Sequence, residues 1–405
     1  MKLRPFISIC STNTTNTTPQ APPPPLKKLV SSNTNTINIS HTTIGGLTLT
    51  ISHQRITSLK PLPSCHVDIL AIHDNLLYAA TGNLIHLIDA TSFAILDTFS
   101  DQGSSSGSVK SVTFSNGHIF TAHQDNKIRV WKLIENKYYH HKHIATLPTF
   151  EDRLFRSVLP KNYVQVRRHC KKLWIQHQDA VSGLALVTEQ LICSVSWDRY
   201  LKIWQASDFR CLDSIKVHDD AVNSVVVSVN GTIFTGSADC KIKIWGKVFG
   251  KYKLIVTLEK HKSAVNALAL NEDGSLLFSG GSDRVIMVWV KEHGSNNYMV
   301  LAASLRGHLK AVLCLVYVCD LLFSGSADRT VRIWQRGCEG KFCCLKVLDG
   351  YERPVRSLVV DRGIAKFGSK VGPNFVRVFS ECSNGVIRMV TIEDLSLSNS
   401  VSTYV

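Results

Sequence analysis

Histidine, hydroxyl and aspartate side chains recur together at fixed spacing along this chain. The phrase H-x-x-A-V begins at His177, His218, His261 and His308, and each copy carries a Ser or Thr followed four residues later by an Asp. In serine hydrolases these three residue types activate a nucleophile. A set that is repeated four times is, however, expected to serve the frame of the fold. A Trp follows each Asp by six residues, and its indole N–H extends the set into a chain of donors and acceptors that is stabilising when every member is satisfied.

Short strands separated by turns must position these sets. In the copy that begins at His308, Val331 and Ile333 alternate with Arg332, which is the period-two pattern of a strand. A repeat of about 40–45 residues with this content predicts β-propeller blades, which bury their faces only against neighbouring blades. We expect four structural tetrads, which are His177, Ser194, Asp198 and Trp204; His218, Thr235, Asp239 and Trp245; His261, Ser279, Asp283 and Trp289; and His308, Ser324, Asp328 and Trp334.

These residue sets resemble the WD40-repeat family. The resemblance implies an all-β, seven-bladed β-propeller with four-stranded antiparallel blades. Three weaker copies complete the seven: one ends at Trp131 without a leading His, one has Ile88 at the Trp position, and the last has Asn384 and Met389 at the Asp and Trp positions. The predicted blades lie near 66–100, 108–147, 177–215, 218–258, 261–304, 308–348 and 351–392.

The two ends of the chain differ from the repeats. Residues 1–43 are rich in Thr and Asn with a run of prolines, a composition that predicts a disordered tail before a propeller spanning 44–395. A short tail is predicted at 396–405. Because a closed ring leaves no open sheet edge, we expect residues 54–59 to supply the outer strand of the last blade.

Bulk composition narrows the classes of function. The 12 cysteines are scattered, which suits a reducing compartment and gives no zinc spacing. We expect a cytoplasmic or nuclear protein without cofactor or metal, and without a membrane segment because no run reaches 18 apolar residues. The acid-free tail leaves a transit peptide as the alternative. His140, His141 and His143 are interpreted as an exposed strand in preference to a metal site.

The net charge of +15 is concentrated in two segments. Residues 1–65 carry six Lys or Arg and no acid, and residues 132–176 carry ten against three acids. Successive Trp positions from Trp204 onward are 41, 44 and 45 residues apart, whereas Trp131 and Trp204 are 73 apart. The sequence therefore predicts a basic insertion at 147–176 between blades 2 and 3, on the top face, and long loops of this kind tend to be functional.

Within the insertion, Leu154, Phe155, Val158 and Leu159 have the spacing of a short amphipathic helical turn, which Pro160 should end. The insertion resembles that of the plant Jingubang-like subgroup of WD40 proteins. The residues that carry this resemblance are Arg156–Pro160, Asn162–Val164, Val166–His169, Leu173–Ile175 and Asp179–Ser182.

Two interpretations of the insertion remain open and are compatible. In one, Phe155, Tyr163 and Trp174 pack on blades 2 and 3. In the other, the insertion binds a partner. Trp197 likewise either packs beneath the insertion or contacts a partner, since exposed Trp is enriched in binding hot spots. The candidate partner-binding residues are Arg153, Arg156, Arg167, Arg168, Lys171, Lys172, Trp174 and Trp197.

The resemblance implies a non-enzymatic scaffold or adaptor that binds other proteins, in a regulatory role in a plant cell, as a monomeric propeller within complexes. One alternative is the substrate receptor of a cullin–RING ubiquitin ligase, although the W-D-x-R box of such receptors is absent. Another is association with nucleic acid through the basic insertion. The sequence contains no phosphate-binding glycine loop and no nucleophile elbow, so we expect no enzyme.

Overall fold

Seven antiparallel sheets follow one another along the chain. The computed structural model describes residues 38–44, 47–56, 67–101, 107–135, 138–167, 170–292, 299–337, 340–362, 375–382 and 386–394. Within these residues each of the first six blades is a four-stranded sheet whose strands pair in sequence order. The predicted seven-bladed propeller is therefore confirmed. None of the described helices is both long and apolar enough to cross a membrane.

The strand bounds show how regularly the blades repeat. Before blade 1 lie β1 (Asn38–Ile44) and β2 (Leu47–Ile56). Blades 1 and 2 comprise β3 (Val67–His73), β4 (Leu76–Thr81), β5 (Leu84–Asp89), β6 (Ile95–Phe99), β7 (Val109–Ser115), β8 (His118–His123), β9 (Ile128–Glu135) and β10 (Tyr139–Leu147). The insertion then forms α1 (Phe150–Ser157), a 3-10 turn (Pro160–Asn162), β11 (Tyr163–Arg167) and β12 (Cys170–Leu173).

The later blades keep the same order from the inner strand to the outer strand. Blades 3 and 4 comprise β13 (Val181–Thr188), β14 (Leu191–Ser196), β15 (Tyr200–Gln205), β16 (Cys211–Lys216), β17 (Val222–Val227), β18 (Ile233–Ser237), β19 (Ile242–Val248) and β20 (Lys251–Leu258). Blades 5 to 7 comprise β21 (Val265–Leu270), β22 (Leu276–Gly281), β23 (Ile286–Lys291), β24 (Met299–Leu305), β25 (Val312–Val318), β26 (Leu321–Ser326), β27 (Val331–Arg336), β28 (Phe342–Leu348), β29 (Leu358–Arg362), β30 (Phe375–Cys382) and β31 (Val386–Asp394).

The core lies between neighbouring blades. Phe323 and Ile333 of blade 6 are completely buried, and they share one cluster with Val355 and Val378 from the seventh repeat. Because apolar side chains project from both faces of the strands, each blade depends on its neighbours to remove them from water. Burial of one such side chain contributes roughly 1.5–3 kcal/mol. This explains why a single blade is not stable and the ring is.

The repeated polar residues join into hydrogen-bonded chains. In blade 3, His177 Nδ1 lies 2.8 Å from Asp198 Oδ2 and His177 Nε2 lies 2.8 Å from Ser194 Oγ. Trp204 Nε1 donates to the same hydroxyl over 2.8 Å. The hydroxyl thus joins the imidazole to the indole, and all four side chains have a partner.

Blade 4 repeats this geometry with a threonine as the shared hydroxyl. His218 Nδ1 lies 2.8 Å from Asp239 Oδ2, and His218 Nε2 lies 2.8 Å from Thr235 Oγ1. Trp245 Nε1 donates to Thr235 Oγ1 over 3.1 Å. Thr235 is completely buried and Trp245 nearly so, so their polar atoms depend on each other for hydrogen bonds.

Blade 5 contains the third tetrad. His261 Nδ1 lies 2.9 Å from Asp283 Oδ2, and His261 Nε2 lies 2.8 Å from Ser279 Oγ. Trp289 Nε1 donates to Ser279 Oγ over 2.9 Å. Asp283, at one end of this hydrogen-bonded chain of side chains, is half-buried, whereas Ser279 and Trp289 are buried.

Blade 6 contains the fourth tetrad. His308 Nδ1 lies 2.9 Å from Asp328 Oδ2, and His308 Nε2 lies 2.8 Å from Ser324 Oγ. Trp334 Nε1 donates to Ser324 Oγ over 2.9 Å. The histidine, hydroxyl and indole are buried here as well. In all four blades the tetrad geometry therefore fits the structural part predicted for these residues.

Two of the weaker copies form part of this hydrogen-bonded chain with different residues. In blade 2, which lacks the leading His, His123 Nε2 lies 2.8 Å from Thr121 Oγ1, and Trp131 donates to that hydroxyl over 3.0 Å. His123 occupies the position that holds a Ser in blades 3, 4 and 6. In the seventh repeat, the Tyr351 hydroxyl lies 2.7 Å from Ser380 Oγ. Sequence reasoning missed Tyr351, although it precedes Val355 at the spacing of the H-x-x-A-V phrase.

The start of the chain closes the seventh sheet. β2 pairs antiparallel with β31, and Ile56 is opposite Ile387. The closing strand therefore spans Leu47–Ile56, beginning earlier than the predicted 54–59. β29 contacts both β25 of blade 6 and β3 of blade 1, which completes the ring.

The predicted tail at 1–43 is too long. β1 lies within it and pairs with β2, so the seventh sheet has five strands, one more than predicted. The β-branched residues of NISHTTI support this extra strand, and the expectation of disorder had rested on average composition. Residues 1–37, Asn384 and residues 395–405 lie outside the described residues.

The predicted exposed strand with three histidines is corrected at one position. His140 and His143 are exposed, but His141 is buried. His141 Nδ1 lies 2.7 Å from Asp97 Oδ2, and its ring stacks on Phe99 at 3.9 Å between centroids. No group of three potential metal ligands occurs among the described residues.

Candidate partner-binding site

The insertion begins with a short capped helix. Thr149 is the N-cap of α1, and its hydroxyl accepts a hydrogen bond from the Asp152 N–H over 3.2 Å. Two acidic residues, Glu151 and Asp152, occupy the first turn, where they interact favourably with the positive end of the helix dipole. The helix ends at Ser157, ahead of Pro160. The predicted helical turn is therefore present and begins before Leu154.

Two charged side chains clamp α1 to blade 3. Asp152 is buried, and its Oδ2 accepts a hydrogen bond from Cys211 N over 3.3 Å. Its Oδ1 accepts from Arg156 Nε over 2.7 Å, and Arg156 Nη2 donates to Cys211 O over 2.9 Å. The helix thus binds both main-chain groups of the first residue of β16. Because charge-assisted hydrogen bonds are the stronger ones, this clamp gives α1 a defined position.

A second layer of contacts fixes the segment that follows the helix. The Arg156 guanidinium lies over the Trp174 ring at 4.6 Å from its centroid. Asn162 Nδ2 donates to Arg156 O over 2.9 Å, and Trp174 N donates to Asn162 O over 3.0 Å. The buried Lys202 of blade 3 donates to Trp174 O over 2.5 Å. The insertion is therefore fastened to the propeller by polar contacts at both of its ends.

The apolar side chains of α1 and of the two residues that follow it are exposed to solvent. Phe150, Leu154, Phe155 and Val158 are 70%, 55%, 71% and 75% exposed, and Leu159 is exposed as well. We call these five residues the α1 patch. A surface helix of a globular protein normally buries its apolar stripe and exposes its polar one. In α1 this arrangement is inverted, since Asp152 is the residue that is buried.

The predicted partner-binding residues have different surroundings. Arg153 and Lys171 are exposed, whereas Lys172 is half-buried. Arg156 is engaged in the clamp, and Trp174 packs as a partly buried side chain on the core of blades 2 and 3. Trp197 is 42% exposed. The side chains of Arg167 and Arg168 lie outside the described residues.

The packing interpretation of the insertion applies to some of its aromatic residues and not to others. Packing on blades 2 and 3 holds for Trp174, together with the buried Leu173 and Ile175. It is wrong for Phe155, which is exposed. Sequence reasoning missed Asp152, although Asp152 and Arg156 stand four residues apart on a predicted helix, a spacing that places them side by side.

The tetrads predicted from the sequence contribute no side chain to the α1 patch. Their hydroxyls and indoles are buried inside the blades, and their histidines are held by the neighbouring carboxylates. A buried hydroxyl that already bonds to an imidazole and an indole is not placed to attack a substrate. In the other blades the same internal hydrogen bonds engage further tetrad residues. These are Thr235 and Trp245 of blade 4, Ser279, Asp283 and Trp289 of blade 5, and Ser324 and Trp334 of blade 6.

Burial shifts the pKa values of two side chains that lie beneath the insertion. Burial raises the pKa of the Cys211 thiol to about 12, so it stays protonated. Burial lowers the pKa of Lys202, whose ammonium nevertheless has acceptors in Trp174 O and Ser214 Oγ at 2.5 and 2.6 Å. Neither group faces a metal ligand set among the described residues, and both serve to hold the insertion.

Sequence comparison identifies the repeats. The profile of the WD40 family, described as WD domain, G-beta repeat, matches residues 168–205, 209–246, 252–290 and 299–335. Each of these segments contains one of the four tetrads. Four segments of the chain thus match WD40 repeats. WD40 propellers typically act as non-enzymatic scaffolds for protein–protein interaction.

Two curated plant proteins are similar to this chain over part of its length. Autophagy-related protein 16 of Arabidopsis thaliana is 23% identical over 185 residues, which cover 42% of this chain and 36% of that protein. An F-box/WD-40 repeat-containing protein of the same plant is 28% identical over 147 residues, which cover 36% of this chain and 26% of that protein. The chain thus spans about a quarter to a third of the length of these relatives.

Proposed function

We propose that this WD40 propeller is a non-enzymatic scaffold that binds other proteins through its insertion, with the α1 patch as the main contact. The observation that carries the proposal is the inverted helix. Five apolar side chains of α1 and of the two residues that follow it are exposed, while Asp152 and Arg156 of the helix hold it in place. Exposed apolar patches on monomeric proteins mark interaction sites.

The clamp supports this function energetically. A partner that binds a mobile segment must first order it, and that ordering lowers the affinity. Here Cys211, Trp174 and Asn162 already hold the segment. Aromatic residues dominate binding hot spots when they become desolvated, so Phe150 and Phe155 are the residues expected to contribute most.

The proposed setting is a regulatory complex in the cytoplasm or nucleus of a plant cell, with this chain in the Jingubang-like subgroup. It is supported by the insertion segments that resemble this subgroup and by the plant origin of the two relatives. A contribution from cations to the same interface is supported by the exposure of Arg153, which directly precedes Leu154 of the α1 patch, and of Lys171 on β12.

The test compares variants in quantitative affinity capture from plant extract. The Leu154→Ser/Phe155→Ser variant should bind its specific partners about 100-fold more weakly. The interface loses the burial of two apolar side chains, which contributes roughly 3 kcal/mol. Phe249→Ser is the matched control, since Phe249 is 99% exposed in a turn of blade 4. Charge reversal of Arg167, Arg168, Lys171 and Lys172 to Glu separates the cationic contribution. Unchanged partner recovery by the α1 double variant would refute the proposal.

A further inference from the structure

A groove runs along the outside of blade 3, beside the insertion. It has a volume of about 1030 Å³ and lies between the β11–β12 hairpin, the outer strand β16 and the β19–β20 hairpin of blade 4. Its floor is preformed, because Lys202 Nζ joins Trp174 O of the insertion to Ser214 Oγ of β16. The insertion therefore builds one wall and the propeller builds the rest.

One end of the groove combines an indole with carboxylates. Trp197, Asp179 and Asp220 all line the groove, and Trp197 N donates to the main-chain carbonyl of Ala180, which follows Asp179. At the position of Trp197 the next blades have Ala238, Ser282 and Ala327. The position before the A-V pair is Asp in blades 3 and 4, which flank the groove, but it is Ser263 in blade 5 and Lys310 in blade 6. An aromatic face beside carboxylates suits a Lys or Arg side chain.

The opposite end of the groove is basic. Lys247 and Lys251 line it on either side of the β19–β20 turn, and both are exposed. β16 and β19 are six and seven residues long, so the two ends are about 20 Å apart at 3.3 Å per residue. The groove is therefore polar along its length, with acid at one end and base at the other.

The wall between the two ends offers main-chain recognition. β16 is the edge strand of its sheet, and Leu212, Asp213 and Ser214 line the groove. Edge strands bind extended peptides by adding them to the sheet.

The geometry points to a second binding site in this groove, for an extended segment of about six residues of a partner protein, with a Lys or Arg at one end and an Asp or Glu at the other. The site is separate from the α1 patch and does not depend on it. The cation stacks on Trp197 between Asp179 and Asp220, and the acid binds Lys247 and Lys251.

The test selects ligands from a random heptapeptide library displayed on phage, with the full chain as bait. Selected peptides are then synthesised with a fluorescent label and titrated by anisotropy against variants. Trp197→Ala, Asp179→Ser and Asp220→Lys each introduce a residue that another blade carries at the same position, so the fold should tolerate them. Lys247→Glu/Lys251→Glu tests the basic end, and Leu154→Ser/Phe155→Ser tests independence from the α1 patch.

The expected result is enrichment of peptides with a basic and an acidic residue about five positions apart. Their affinity should fall at least tenfold in Trp197→Ala and stay unchanged in the α1 double variant. Asp220→Lys should weaken the contribution of the peptide's basic residue to binding. Lys247→Glu/Lys251→Glu should weaken the contribution of its acidic residue. Enriched peptides that bind equally to Trp197→Ala, or a failure to enrich any sequence over that variant, would overturn the proposal.

Discussion

At the scale of single residues, burial decides what the titratable groups of this propeller do. The tetrad histidines lie against carboxylates within 2.9 Å and are shielded from solvent. Burial lowers the pKa of His177 and His308 despite their Asp partners. His177 and His308 therefore act as neutral links in a hydrogen-bonded chain, in which the indole N–H is the terminal donor.

His123 gives the sharpest prediction at this scale. Burial, reinforced by the nearby Arg129, lowers its pKa from 6.5 to about 4. Between these two values the unfolded chain binds a proton that the native chain does not, so stability falls as the pH falls from 6.5 toward 4. At 1.36 kcal/mol per unit, His123 should account for roughly 2 kcal/mol of the stability lost between pH 7.5 and pH 5.

The measurement is the urea midpoint at both pH values for the native chain and for His123→Ser, which carries the residue of blades 3, 4 and 6. The variant should be less stable at pH 7.5 but lose about 2 kcal/mol less on acidification. His140→Ser, on an exposed strand, is the control. Equal pH dependence of all three proteins would contradict the role assigned to His123.

Single residues also mark what the sequence could and could not predict. The four full tetrads were predictable because their members recur at constant spacing. His123 and Tyr351 were not predicted. His123 replaces the missing His of its repeat from another position, and Tyr351 replaces it with another residue type. Their roles depend on which side chain fills a buried space beside a fixed hydroxyl, Thr121 Oγ1 or Ser380 Oγ, and the repeat pattern does not specify this.

At the scale of elements, the apolar pattern of α1 specifies only part of its structure. The spacing of its apolar residues predicted the helix but not the face that it buries. That face is set by Cys211, whose main-chain carbonyl accepts a hydrogen bond from Arg156, 55 residues earlier in the sequence. A contact over such a distance carries no local sequence signal. The extra strand β1 escaped prediction for a related reason, because its Thr-rich composition resembles that of the tail.

The clamp predicts a local effect of Asp152→Ala. The variant removes the acceptor of Cys211 N and of Arg156 Nε, and a buried hydrogen bond of this kind contributes on the order of 1–3 kcal/mol. Hydrogen–deuterium exchange of the α1 amides should accelerate by about 10- to 100-fold while the blades keep their protection. Glu151→Ala is the control, since Glu151 is exposed in the same helical turn. Similar exchange in both variants would show that the clamp does not hold α1.

At the scale of the whole molecule, the seven-bladed ring is a rigid frame that leaves function to the places where the repeat is interrupted. The period of the tetrads predicted the ring, and it also predicted the insertion as a break in the Trp spacing. It could not predict that this break displays an apolar helix on one side and borders a charged groove on the other. Both features arise from contacts between blade 3 and residues 147–176.

The central claim is that the α1 patch is the surface on which a partner protein binds. The most direct measurement is photo-cross-linking in plant cells from a photoreactive phenylalanine analogue in place of Phe155, with the same analogue in place of Phe249 as the control. The claim predicts discrete cross-links to other proteins from position 155 and none of these products from position 249. Absence of intermolecular cross-links from position 155, or the same products from both positions, would contradict it.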